Sequence, residues 1–188
     1  MVDEIIDWRL AEYLDRGGVS AADTPMAEVA EGGQAAFVHD EESRAELWRE
    51  YMREEIPGLY GLRFNTGSWN QGFVVQGRHA FLLVTLDKSN LQVGAQYLDH
   101  FTDAGHFSWH SQNRTARGSK HGQIISGTAP GYGVHLFVRG NKIRGAKGAP
   151  FVYCGDVDFE SWEGDAPISV VFRLRAAVPE RLRRVFGA

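Results

Sequence analysis

The sequence predicts an α+β fold: a small, strongly curved β-barrel with a helical N-terminal flank and a short C-terminal helix. Three observations lead there. After Gly61 the texture changes from helical periodicity to short apolar runs. The chain holds 22 glycines, many of them at turn positions between those runs, which favours a curved sheet or barrel over a parallel sheet. Charge divides at nearly the same place. Residues 1–55 carry 15 Asp/Glu against 5 Arg, net −10, whereas residues 56–188 carry 9 acids against 15 bases, net +6. The expected organisation is an acidic helical flank, 1–55, packed on a barrel-like domain, 56–188.

In the flank, Ile5, Ile6, Leu10 and Leu14 recur near the helical period, and Gly17-Gly18 provides the stop. Residues 19–39 are rich in Ala and Gly and only weakly periodic, which reads as loop with room for a short helix. Asp40 or Ser43 caps a second expected helix running through about Glu55, with Leu47, Trp48, Tyr51 and Met52 as its apolar stripe. Pro57-Gly58 ends it. The strands expected beyond are Leu62–Phe64, Gly72–Val75, Ala80–Leu86, Phe107–Ser111, Val134–Arg139, Phe151–Val157 and Ile168–Leu174. They are punctuated by Gln76-Gly77, Gly131-Tyr132-Gly133, Gly140-Asn141 and Gly164-Asp165. Val178-Pro179-Glu180 followed by Arg181–Phe186 reads as the closing helix.

With 188 residues and 43% hydrophobic content, the chain can bury one good core. Its single cysteine, Cys154, excludes an internal disulfide and a Cys-rich zinc site, and fits a reducing cytosol. No apolar run approaches the roughly 20 residues that span a bilayer, so no membrane partner is expected. The acidic start, Met-Val-Asp-Glu-Ile-Ile-Asp, is expected to be neither a signal nor a transit peptide. A cytoplasmic, nucleoid-associated protein is anticipated.

The most informative stretch lies between Asp103 and Asp156, where 52 residues pass without a carboxylate. Seven cations fall inside it: Arg114, Arg117, Lys120, Arg139, Lys142, Arg144 and Lys147. Such segregation is the footprint of a polyanion site, and the overall charge of −4 hides it. Motifs for chemistry are absent. There is no GxxxxGK[ST] and no HExxH, His110-x-x-Asn113…His121 lacks the carboxylate or cysteines of a nuclease metal site, and Asp156/Asp158 read as solvated acids on a strand. Neither an enzyme, nor a cofactor, nor a metal is called for.

Recognition signals are stronger. Asn65-Thr66-Gly67-Ser68-Trp69-Asn70-Gln71-Gly72-Phe73 and Trp109-His110-Ser111-Gln112-Asn113-Arg114-Thr115 each combine an indole, amides and hydroxyls. Amides can read a base edge, hydroxyls and Arg can hold phosphate, and an indole can stack on a base. The plainer reading is that a Trp in a small β domain is core, and that Asn in a Gly-rich loop satisfies turn backbone. Recurrence of the cluster inside an acid-free surround favours the functional one.

These two blocks, with Arg53-Glu54-Glu55-Ile56-Pro57 before them, resemble a domain found at the C-terminus of bacterial superfamily 2 defence helicases and modification-dependent (type IV) restriction enzymes. Further resemblance lies in His135-Leu136-Phe137-Val138-Arg139, Pro150-Phe151-Val152-Tyr153-Cys154-Gly155 and Ser161-Trp162-Glu163-Gly164, so that it spans about residues 53–175. It implies a PUA/SRA-like barrel that senses modified cytosine, here without helicase or nuclease parts. The expected function is non-catalytic recognition of modified cytosine, 5-methylcytosine first, in double-stranded DNA by base flipping into an aromatic pocket. The alternative is a PUA-type RNA-binding module. The expected base pocket is Trp69, Asn70, Trp109, Gln112, Asn113 and Tyr153. The expected backbone contacts are Thr66, Ser68, Ser111, Arg114, Thr115, Arg117, Lys120, Arg139, Lys142, Arg144 and Lys147. The acidic N-terminal helices offer a surface for a protein partner or for self-association.

Overall fold

A computed structural model describes residues 45–87, 99–112 and 114–188. The expected helix over residues 5–14 lies outside the described residues, as does the part of the second helix before Ala45. The described residues all fall in one compact unit, His39–Ala188. No helix among them is long and apolar enough to cross a membrane.

The unit is built on one mixed sheet. Its strands are β1 (Glu50–Tyr51), β2 (Phe73–Gln76), β3 (His79–Thr85), β4 (His100–Asp103), β5 (His106–His110), β6 (Gly133–Arg139), β9 (Phe151–Glu163) and β10 (Ser169–Leu174). The order is β2-β3-β6-β9-β10-β5-β4, with β1 added to β9. Two further strands, β7 (Ile143–Arg144) and β8 (Lys147–Gly148), form a separate hairpin. Neighbours are antiparallel except β3 and β6, which run parallel from His79↔Gly133 to Thr85↔Arg139. Three short helices complete the unit: α1 (Thr66–Trp69), α2 (Lys120–Ile125) and α3 (Glu180–Phe186), with a 3-10 turn at Ile56–Tyr60.

β3 and β6 are buried on both faces, and their alternation sorts two cores. Ala80, Leu82 and Val84 with Leu136 and Val138 enter one cluster, together with Phe73, Phe107, Trp109, Val170 and Phe172. Phe81, Leu83 and Phe137 enter the other, with Trp69, Phe151 and Tyr153. β9 joins the halves of the sheet. Its first part pairs with β6 (Val138↔Val152 to His135↔Asp156), and its second part pairs with β10 (Leu174↔Val157 to Ser169↔Glu163). The turn-over point is Gly155, at φ +94, where the β6 register also shifts. This bulge lets one strand serve two differently oriented ladders.

The sheet curls but does not close into a barrel. Among the described residues its end strands, β2 and β4, share no ladder. Side chains bridge the seam instead: the rings of Phe73 on β2 and Trp109 on β5 lie 5.7 Å apart. The expected helix ending at Glu55 is also corrected over its described part. Trp48 takes φ +64, and Glu50–Tyr51 pairs with Val152 and Phe151 at the start of β9, so strand pairing overrides a helical spacing. The supposed stripe splits, with Tyr51 buried but Leu47 49% exposed. Leu62–Phe64 is no strand; it leads into α1. β9 runs on six residues past the expected end, to Glu163.

Replacing Gly155 by Ala puts an L side chain at φ +94, with its Cβ 2.8 Å from Leu47 Cδ2. The variant is expected to lose about 1–3 kcal/mol of stability, read as a shift of the urea unfolding midpoint. An unchanged midpoint would show that β9 does not depend on this bend.

Candidate functional site

The seam between the sheet ends holds a cavity of about 510 Å³, within the range of small-molecule sites. Phe73 and Trp109 form its aromatic floor, and Leu83, Val84 and Thr85 at the end of β3 form a side. Polar groups converge from three places: Asp99, His110 and Gln112 around β5, Asp87 after β3, and Arg53, Arg139 and Lys142 opposite.

Each group has a structural reason for its position. Trp109 alternates inward on β5 and pairs with Val170 of β10; it is 5% exposed, a core indole that also lines the cavity. The Asp99 carboxylate accepts the His110 backbone N–H at 2.8 Å and lies 3.5 Å from His110 Nδ1. Arg139, at the end of β6, donates from Nε to Thr85 Oγ1 at 2.9 Å and from Nη1 to the Ala149 carbonyl at 3.1 Å. Arg53 donates to the carbonyls of Trp69 and Gln71. Burial depresses both guanidinium pKa values; for Arg139 the charge of Arg53 adds to the effect.

Four of the expected site residues, Trp109, Gln112, Arg139 and Lys142, meet at this cavity. Others serve the scaffold. Trp69 is fully buried, and its Nε1–H donates to Gln76 Oε1 at 2.8 Å; it does not line this cavity, because α1 turns it into the second core. The Asn65 side chain caps α1, accepting from Gly67 N and Ser68 N, so this block is a capped helix rather than an open recognition loop. Thr66 and Asn70 are exposed and Ser68 is half-buried on α1. Tyr153 is buried in the same core and donates to Asp156. Ser111 is 1% exposed and ties β5 to Ile168, accepting its N–H at 3.0 Å.

Two cations of the acid-free window are taken up by groups outside it. Arg144 makes a two-pronged pair with Glu50, at 2.9 and 2.5 Å. The Arg117 backbone N–H donates to Asp165 Oδ1 at 2.8 Å, and its guanidinium donates to the Gly164 carbonyl at 2.7 Å over the Trp162 ring. These two arginines are occupied as staples. Arg114, Lys120 and Lys147 are exposed and Thr115 is half-buried; Asn113 lies outside the described residues. Lys120 opens α2, where a Cβ on Gly122 would meet the carbonyls of Ala116 and Arg117 at 2.4 Å. That close approach holds Ala116 and Arg117 against α2. Arg53, Phe73, Asp87, Asp99 and His110 were not expected at the site. Only the quoted blocks holding Arg53, Phe73 and His110 signalled three of them.

The family model described as "Domain of unknown function (DUF3427)" matches residues 46–186. The chain belongs to the DUF3427 family. The cavity and its lining from Arg53 to Lys142 therefore fall within the DUF3427 match. No curated protein matches the chain. Among solved structures it is similar to the MspJI restriction endonuclease in complex with a 27-mer oligonucleotide, at 15% identity and a TM-score of 0.38 over 77% of this chain and 40% of that one. The chain thus spans less than half the length of that protein.

A second polar cluster sits on the other face of the DUF3427 sheet. His135 Nδ1 lies 2.7 Å from Asp156 Oδ1, and His135 Nε2 lies 2.9 Å from His79 Nδ1. With Asp156 ionised, His135 Nδ1–H donates to the carboxylate. Tyr153 Oη also donates to Asp156, and Arg175 pairs with Asp156 and Asp158. Burial works to raise the Asp156 pKa, but the His135 and Tyr153 hydrogen bonds and the Arg175 charge together hold it below its ordinary 3.8. A depressed carboxylate contributes stability that is complete above its unfolded pKa and is lost as pH falls through the folded one. The melting temperature is therefore expected to drop on acidification below about pH 4, and Asp156→Asn to flatten part of that acid limb. An acid limb identical in wild type and variant would remove Asp156 from the account.

Proposed function

We propose that this protein is a non-catalytic reader of modified cytosine in duplex DNA, taking the extruded base into the seam cavity. The observation that carries the reading is the composition of that cavity: an aromatic floor, edge-reading groups and cations around one space of about 510 Å³. A nucleotide presents the complementary features, namely a flat apolar face, a polar edge and an anionic backbone. Trp109 and Phe73 supply stacking surface. The Asp99 carboxylate suits the cytosine N4 amino group, and the exposed Gln112 amide can serve the rest of the base edge. The motif blocks that resemble the modified-cytosine-sensing domain of type IV restriction enzymes support the same assignment. Phe73, Trp109 and Gln112 all belong to those blocks.

Energetics limit what each part does. One buried methyl contributes roughly 0.8 kcal/mol by transfer and about 1–3 kcal/mol in a fitted pocket. Phosphate contacts must then supply most of the affinity and offset an extrusion cost of a few kcal/mol. Arg114, Lys120, Arg139, Lys142 and Lys147 are the window cations left for this once Arg117 and Arg144 are assigned to the scaffold, and about four of them would touch phosphate.

The test is a binding series with one duplex carrying C, 5-methyl-C or 5-hydroxymethyl-C at two salt concentrations. The methylated duplex is expected to bind more tightly than the unmodified one by up to about a hundredfold, with a log–log salt slope near about −3.6 for four phosphate contacts. Trp109→Ala, shown by circular dichroism to be folded, should weaken methylated-duplex binding about 5- to 150-fold, the equivalent of about 1–3 kcal/mol of stacking. Equal affinity for C and 5-methyl-C sinks the reading. Preference for structured RNA in competition would assign the cavity to RNA, and cleavage of modified DNA with divalent metal would make the protein an enzyme.

A further inference from the structure

Arg53 and Arg139 reach the cavity from distant parts of the chain and share one support. Their guanidinium carbons lie 5.2 and 4.3 Å from the centroid of the Phe151 ring, which is fully buried at the start of β9. All their hydrogen bonds go to neutral acceptors: the carbonyls of Trp69 and Gln71 for Arg53, and Thr85 Oγ1 and the Ala149 carbonyl for Arg139. Among the described residues, no carboxylate forms an ion pair with either, although Asp87 and Asp99 line the same cavity. In both, Nη2 has no acceptor among the described residues.

Two half-buried like charges beside one ring repel, and a carboxylate between them would remove the cost. Here that position is left to the cavity. The carbonyls fix each fork, the ring holds both planes, and the spare N–H groups remain for an anion with several oxygens. Guanidinium forks suit phosphate oxygens in this way.

We infer that Arg53 and Arg139 form a phosphate subsite inside the cavity, which therefore takes a whole nucleoside monophosphate unit rather than a base alone. This rests on the base-reading assignment for the identity of the nucleoside, but not for the phosphate. It follows that a free mononucleotide is a ligand without any duplex around it.

The experiment is calorimetric titration of the full chain with 5-methyl-2′-deoxycytidine, with its monophosphate and with inorganic phosphate. The monophosphate should bind at least about tenfold more tightly than the nucleoside, as charge-assisted hydrogen bonds imply, and inorganic phosphate should compete with it. In Arg139→Gln and Arg53→Gln that advantage should fall to within about twofold, with nucleoside binding retained. Equal binding of nucleoside and monophosphate by the wild type overturns the subsite, as does an advantage that survives both substitutions. If either variant fails to fold, the wild-type competition decides: monophosphate binding that phosphate does not displace overturns it. A phosphate advantage without discrimination of methylated duplex would sink the base reading and leave the subsite standing.

Discussion

The constraint on which the structure depends is that one strand, β9, must belong to two ladders at once. Its first residues complete the β3–β6 half of the sheet, and its last residues begin the β10–β5–β4 half. A straight strand of that length would keep the halves nearly coplanar. The bulge at Gly155 turns the second half over the first, bringing β5 within ring contact of β2. The cavity follows directly, because the two edges meet through Phe73 and Trp109 rather than through backbone hydrogen bonds, and space remains between them.

Charge behaves in the same way, set by folding rather than by chain order. The basic window is acid-free only along the sequence. In space, Glu50 returns to Arg144, and the Arg117 guanidinium is taken up by the Gly164 carbonyl over the Trp162 ring, so cations that look alike in sequence divide into staples and free donors. The two arginines that line the cavity, Arg139 at the end of β6 and Arg53 from the acidic flank, form no ion pair with a carboxylate among the described residues.

What was legible in the sequence follows the same physics. β3, β6 and β10 could be read because burial imposes long runs of aliphatic and aromatic residues, and α3 because Pro179 and Gly187 bracket it. The segment around Trp48 could not, since Leu47, Tyr51 and Met52 have helical spacing and only the open edge of β9 makes them strand and turn. α2 was hidden by Gly122 in its middle, a residue that reads as a breaker until the carbonyls it packs against are seen. Closure was equally unreadable, because it depends on whether β2 and β4 meet in register. At the site, Trp109 and Gln112 were visible through their company in one block. Trp69 sat in similar company and proved to be core, since Asn65 spends its amide on a helix cap. Asp87 and Asp99 carried no local signal at all.

The parallel pairing of β3 with β6 has a bearing on how the chain emerges from the ribosome. β3 is complete at Thr85, but its inner neighbour is not made until Gly133–Arg139 has been synthesised. Until then its partner among the described residues is β2, and a lone hairpin is marginal in water. Phe81-Leu82-Leu83-Val84, each buried in the finished protein, must wait uncovered while the intervening length is translated. That makes it a stretch of the nascent polypeptide prone to stick to other chains.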